Sequence, residues 1–264
     1  MHLDRREFLG GSLAALVAGA AVGEDRSASG RDRPSRLRHY VVATHDRDFV
    51  CEQLYEFLGM PATPKGPGPD KTLAYGFYST MMRIGTTMLE VVQPARPDFH
   101  LHDWFKRRGG DGGYMLVLQT YDGKALAARA RAEGLQLNRD QLFLGQHQVQ
   151  FDEGRFGAFF EFYEYSPEDD WWGRPLTGPY SDARVAVDVS GCDVAVDDPE
   201  GVAAQAARVF LGRKEGTSVH FLDRIVRFVP TKGPRGLIAI DLQARQKSRV
   251  GDWARIAGVQ FRLV

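Results

Sequence analysis

The feature that most restricts this chain is a pattern that occurs three times. Apolar, strand-like segments ending in aspartate run from Leu37 to Asp46 (LRHYVVATHD), Gly113 to Asp122 (GYMLVLQTYD) and Val189 to Asp198 (VSGCDVAVDD), and the terminal aspartates lie 76 residues apart both times. A stretch of helical periodicity follows each and stops at glycine: Val50, Leu54, Phe57 and Leu58 before Gly59, Leu126 and Ala130 before Gly134, and Val202, Ala206, Val209 and Phe210 before Gly212. Glycine just past the last apolar position is the expected helix stop, because it takes the left-handed conformation without a Cβ clash. Shorter strand-like runs come next: Leu73 to Tyr78, Met81 to Ile84 and Thr87 to Val92 in the first unit; Gln141 to Leu144, Gln146 to Phe151 and Ala158 to Tyr165 in the second; Ser218 to Leu222, Ile225 to Val229 and Leu237 to Leu242 in the third. Ala257 to Val264 supplies a closing strand. A fixed period of this kind marks repeated supersecondary units, here strand, helix, strand, strand, strand.

Composition narrows the chemistry. The 264 residues carry 34 basic and 34 acidic side chains, so there is no electrostatic reason to expect nucleic acid. Cys51 and Cys192 are the two cysteines, too few for a disulfide framework or a thiolate metal cage, and any metal site must use histidine and carboxylates. At the N-terminus, Arg5-Arg6-Glu7-Phe8-Leu9 precedes a small and apolar run from Gly10 to Gly23, too short and too rich in Gly and Ala for a comfortable membrane span. The string resembles a twin-arginine export signal. That resemblance implies a signal over 1–23, the translocase as a transient partner, and a periplasmic or secreted protein without stable membrane insertion. Residues 24–35 then read as a linker.

The strings HYVVATHD at 39–46, LYEFLGM at 54–60 and MLEVVQP at 88–94, with RRGGDGGYMLVLQ at 107–119, resemble the vicinal oxygen chelate superfamily of glyoxalase I, bleomycin-resistance proteins and extradiol dioxygenases. The resemblance implies an α+β fold, with repeated βαβββ modules forming curved mixed β-sheets and helices on the outside. It covers 36–165 as a domain of two modules, then, past a linker at 166–183, a third and degenerate module at 184–264. It also implies a divalent metal ion (Mg, Mn, Fe, Zn or Ni), held by ligands on the first and fourth strands of paired modules, and a small-molecule substrate.

Strand alternation puts His39, Val41, Ala43 and His45 on one face and aligns Met88, Glu90 and Val92. His39, seven residues before Asp46, and Glu90 match the superfamily's ligand positions. The second unit has Met115 where the family would place a ligand, and a thioether suits such metals poorly. Glu161, on a face with Phe159 and Tyr163, and His147, on a face with Val149 and Phe151, could complete the set. Each has a plainer reading: His39 as a hydrogen-bonded strand histidine, His147 as a solvated one, and Glu161 as an edge residue facing water. Glu161 and His45 are also candidates for moving a proton, though His45 equally suits a turn beside Asp46. Arg83, His100 and Arg107 belong to no motif, and Gly109 to Gly113 reads as a close-packed turn. The third unit offers Asp241 as a substitute carboxylate and otherwise a structural or dimer-forming role.

These readings favour an exported metalloenzyme of lyase or isomerase type that chelates neighbouring oxygens of a small organic substrate. A metal-free protein that sequesters an aromatic or hydrophobic compound is the alternative, and an extradiol-type dioxygenase a further one.

Overall fold

The computed structural model describes residues 33–61, 75–143, 145–164, 170–171, 174–175 and 183–264. The expected export signal and most of both linkers lie outside these residues. No helix among those described is long and apolar enough to cross a membrane.

The first unit comprises β1 (Arg36–Ala43), α1 (Arg47–Leu58), β2 (Phe77–Ile84) and β3 (Thr87–Pro94). The runs expected at 73–78 and 81–84 meet in one strand, β2, insofar as they are described. After α2 (Leu101–Arg108), the second unit comprises β4 (Gly112–Gln119), α3 (Gly123–Ala132), β5 (Arg139–Phe143), β6 (Gln146–Phe151), a single turn α4 (Glu153–Phe156) and β7 (Phe159–Tyr163). A two-residue pair, β8 (Asp170–Trp171) and β9 (Arg174–Pro175), stands apart.

The expected third module, 184–264, divides into two. β10 (Ala186–Val196), α5 (Pro199–Phe210), β11 (Arg213–Glu215), β12 (Ser218–His220) and β13 (Ile225–Pro230) complete a unit, because β10 pairs in parallel with β13 just as β1 pairs with β3 and β4 with β7. β14 (Gly236–Ala244) therefore opens a fourth unit and is not the last strand of the third. It pairs in parallel with β16 (Val259–Leu263), which β15 (Trp253–Ile256) flanks. A single 3₁₀ turn, Lys247–Arg249, stands where the other units have a helix.

The recurring aspartates cap the helices. Asp46 accepts from the Phe49 N–H at 3.0 Å, Asp122 from Ala125 at 2.8 Å and Asp198 from Gly201 at 3.0 Å. Each satisfies a donor that the first helical turn leaves open. Gln246 stands before the 3₁₀ turn and makes no such bond.

First strands pair antiparallel within each half, β1 with β4 and β10 with β14. The N-terminal half thus has the order β2-β3-β1-β4-β7-β6-β5, and the C-terminal half β11-β12-β13-β10-β14-β16-β15. They join where Leu237 pairs with Gly113, a contact so close that a Cβ on Gly113 would stand 2.3 Å from the Leu237 carbonyl oxygen. Within the glycine run at 109–113 it is Gly113 that serves this approach. One apolar core fills the helix side of both halves, with Phe210 of α5 set among Phe151, Phe156, Phe160 and Phe162 at ring separations of 4.7–5.5 Å. The helices that lie outside each sheet are therefore inside the molecule, between the halves.

Candidate active site

The opposite, concave face of the N-terminal half carries a separate apolar cluster that includes Val41, Ala43, Met88, Val92, Val117 and Tyr163. Two features enclose it. α2 lays Leu101, Trp104 and Phe105 against one end, and Tyr75 beside β2 meets Phe143 of β5 with ring centroids 5.8 Å apart, so the outermost strands approach each other across the face.

Pairing register fixes what shares this face. Val41 stands opposite Glu90 on one side and Met115 on the other, and His39 opposite Met88 and Val117; the second row continues through Glu161 to Gln150. His39, Glu90 and Glu161 are all buried at under 10% exposure. His39 Nε2 lies 3.2 Å from Glu90 Oε2, and the Ser79 hydroxyl donates to the other oxygen of Glu90. Glu161 is held differently: the side-chain amides of Gln148, at 2.9 Å, and Gln150 donate to its Oε2, and the Tyr163 hydroxyl bonds it as well. Burial raises the Glu161 carboxyl above its ordinary range against these partners.

A β-bulge between Val41 and Val42 leaves Tyr114 as the extra residue of β4, and its ring joins the concave cluster beside Phe159 and Trp104. The Tyr114 hydroxyl lies 3.0 Å from His100 Nε2. Burial holds the phenol well above the usual tyrosine range, helped by the nearby Glu161, and pushes His100 down, helped by Arg139. Tyr114 and His100 escaped the sequence reading, because a bulge and a helix entry, neither of them periodic, bring them here.

The other expected residues lie elsewhere. His147 belongs to the face of β6 that carries Val149 and Phe151 into the helix-side core, opposite to Gln148 and Gln150; its Nε2 bonds Asp140 at 2.7 Å. It cannot join Glu161 on one ion, and the second histidine of an extradiol-type triad is thereby removed. His45 lies past the end of β1, more than half exposed, with Nδ1 2.6 Å from Asp111 and its ring stacked on Phe105 at 3.9 Å. Asp111 also accepts from the Thr44 hydroxyl, so this cluster ties the strand end to the glycine run. Asp241 is in the C-terminal half, bonded to Arg227 and Arg262.

The resemblance implies a divalent cation, and the donors present can be tested against it. His39 and Glu90 form an adjacent pair, Met115 fills the equivalent strand position of the second unit, and Glu161 is turned to its glutamines. Among the described residues no group of three or more His, Cys, Asp and Glu side chains is placed to hold a metal ion. The set does not fit a resident divalent metal.

A family model for a glyoxalase-like domain matches residues 37–210. The chain belongs to the glyoxalase-like domain family. Its match spans the whole N-terminal half and extends to the end of α5. No curated protein matches the sequence. Among solved structures, a hypothetical protein from Staphylococcus aureus aligns at 13% identity over 87% of this chain and 99% of its own, with a TM-score of 0.58. A triple-substituted 4-hydroxymandelate synthase from Streptomyces coelicolor aligns at 17% identity over 80% of this chain and 71% of its own, with a TM-score of 0.57. At these identities the likeness concerns the fold alone.

Proposed function

We propose that the N-terminal half is a proton-transfer site of lyase or isomerase type, acting on a small organic molecule with a C–H bond next to a carbonyl. The observation that carries this is the pair of buried glutamates at equivalent positions of two units, one face apart from the helices, held by unlike partners. Glu90 has a histidine and a hydroxyl beside it and serves as the base. Glu161, whose neutral acid form burial favours, donates a hydrogen bond to the oxygen on which negative charge develops. Two groups of one kind with environments that differ are what acid and base roles require. Three strand spacings of about 4.8 Å and a two-residue offset along the strands separate their backbones, about 14 Å across and about 7 Å along, which leaves room between the side chains for a small molecule.

The test is exchange of substrate C–H for C–D in D₂O, followed by NMR over a panel of small 2-oxo acids, ketones and aldehydes. Wild-type protein is expected to accelerate exchange on at least one compound, and Glu90→Gln and Glu161→Gln each to slow it by about a hundredfold or more. Exchange at the buffer rate throughout, or exchange indifferent to both substitutions, would sink the reading. Saturable binding without exchange would favour the second one, a sequestering protein, which Met115 and the aromatic lining of Tyr114, Phe159 and Trp104 support.

The proposal extends to location. Export through the twin-arginine route follows from Arg5-Arg6 and the mild apolar run behind them. Replacing both by lysine should retain the protein in the cytoplasm on cell fractionation; unchanged delivery contradicts export.

A further inference from the structure

We infer that the molecule bound at this site is a small carboxylate with an apolar body, and that Arg139 is its anchor. The inference rests on the proton-transfer reading and adds the substrate class. In the pairing register, one row crosses the concave face from Arg83 on β2 through Met88, His39, Val117, Glu161 and Gln150 to Arg139 on β5. Arg139 is thus on the face of Glu161, two strands away, about 10 Å between backbones, a span that a guanidinium on its long stem largely covers.

The charge of Arg139 is felt by Glu161, Tyr114 and His100 at this end of the site. Among the described residues it has no ion-pair partner. Its neighbours do: Arg131 pairs with Asp140 at 2.5 Å and Arg107 with Glu153 at 2.7 Å. Asp140 turns to the helix side of the sheet, and Glu153 is engaged with Arg107; Arg139, exposed on the outermost strand and on the face of the site, is left to a ligand. A carboxylate matches a guanidinium fork with two parallel charge-assisted hydrogen bonds, which Lys cannot reproduce. Phe143, Phe159 and Tyr114 on the same side supply apolar surface for the rest of the molecule. Such an anion lies next to the Gln150 amide and the Glu161 carboxyl, so its reacting carbon is presented to the donor of the proposed chemistry.

Binding is read by calorimetric titration of the full-length chain with acetate, hexanoate, benzoate and 3-phenylpropanoate, and with 3-phenylpropanamide as the uncharged mate. At least one of the larger carboxylates is expected to bind with its amide or shorter relative at least tenfold weaker. Arg139→Met should weaken that binding about tenfold or more, Arg139→Lys should restore part of it, and Arg131→Met, on the helix side of the same sheet, should leave it unchanged. Equal binding of 3-phenylpropanoate and its amide, undiminished binding by Arg139→Met, or no saturable binding of any of the four carboxylates overturns the inference. The D₂O experiment separates it from the reading beneath it. Carboxylates that bind through Arg139 without glutamate-dependent exchange leave the anchor standing and remove the chemistry; exchange on neutral carbonyl compounds that ignores Arg139 does the reverse.

Discussion

The two halves repeat one architecture and put opposite chemistry on their concave faces. In all four units the same register position of the last strand stands opposite the same position of the first: Glu90 by Val41, Glu161 by Val117, Arg227 by Asp193 and Arg262 by Asp241. In the N-terminal half these are buried carboxylates against aliphatic neighbours, with hydrogen bonds from neutral groups and one histidine. In the C-terminal half they are arginines against aspartates, closed into a ring in which Arg227 bonds Asp193 at 2.5 Å and also Asp241, and Arg262 bonds Asp241 at 2.6 Å and Asp193 at 2.8 Å. A ring of four charges that sums to zero and uses its own donors and acceptors leaves nothing for a ligand. Carboxylates backed by amides still have an anion or an acid to offer. The fold offers the same positions at both places, and side-chain neutralisation is what sets the two faces apart.

Breaking the ring should produce the largest effect. Asp241→Asn leaves two guanidiniums, each about 30% exposed, competing for Asp193. Removal of one partner from a largely desolvated pair costs on the order of 3 kcal/mol, and substituting all four residues by apolar ones of like size should recover most of it. Urea unfolding of both variants measures this. A loss under about 0.5 kcal/mol for Asp241→Asn would show that the ring is a solvent-screened surface feature and that the contrast between halves is weaker than the geometry says.

A second way to sharpen the contrast is to add the donor that the second unit lacks. Met115→His puts an imidazole on the face of His39, Glu90 and Glu161, at the position where the superfamily pattern has a ligand. Zinc should then bind at least tenfold more tightly than to the wild-type chain, a gain of about 1.4 kcal/mol or more visible as a rise in melting temperature with added zinc. The same substitution in the other half, Ala239→His, should give no such gain, because its neighbours are already paired. Equal zinc response in wild type and Met115→His would mean that His39 and Glu90 are too tightly engaged with each other to serve as ligands.

What was legible in the sequence divides along the same line. The repeat could be read because its signals are local: an aspartate that caps a helix, a helix face every three or four residues, a glycine or αL stop. The fourth unit could not, since it has no helix to cap and hence no aspartate to mark it, and Asp241 was assigned to a last strand when it belongs to a first. Alternation puts His39, Glu90 and Glu161 on the strand faces they occupy, because it reports the face of a strand faithfully. His147 was not excluded by alternation alone, because Gln146, Gln148 and Gln150 are polar on the one face and Val149 and Phe151 apolar on the other, and a concave site reverses the usual sense of inside. The run QHQVQF held the clue: a buried carboxylate needs amide donors, and Gln148 and Gln150, two of its three alternating glutamines, supply them. Arg139 and Tyr114 required the register and the bulge, which depend on pairing between distant segments.

The smallest expected effect is also the one whose sign discriminates best. Burial raises the Glu161 carboxyl above its ordinary range, so the folded state holds that proton more tightly than the unfolded chain does. The stabilisation this gives is fully present below the ordinary carboxylate value and is lost as pH rises through the raised one, where the fold must either bury a charge or unfold. Glu161→Gln carries no proton to lose and keeps an acceptor oxygen for Gln148 and Gln150. The variant should therefore gain on the wild type in melting temperature as pH is raised from about 4 to about 8, with the gap levelling off once Glu161 is ionised. If Glu161→Gln instead falls behind with rising pH, Glu161 is held as a stabilised carboxylate, and the acid role goes with it.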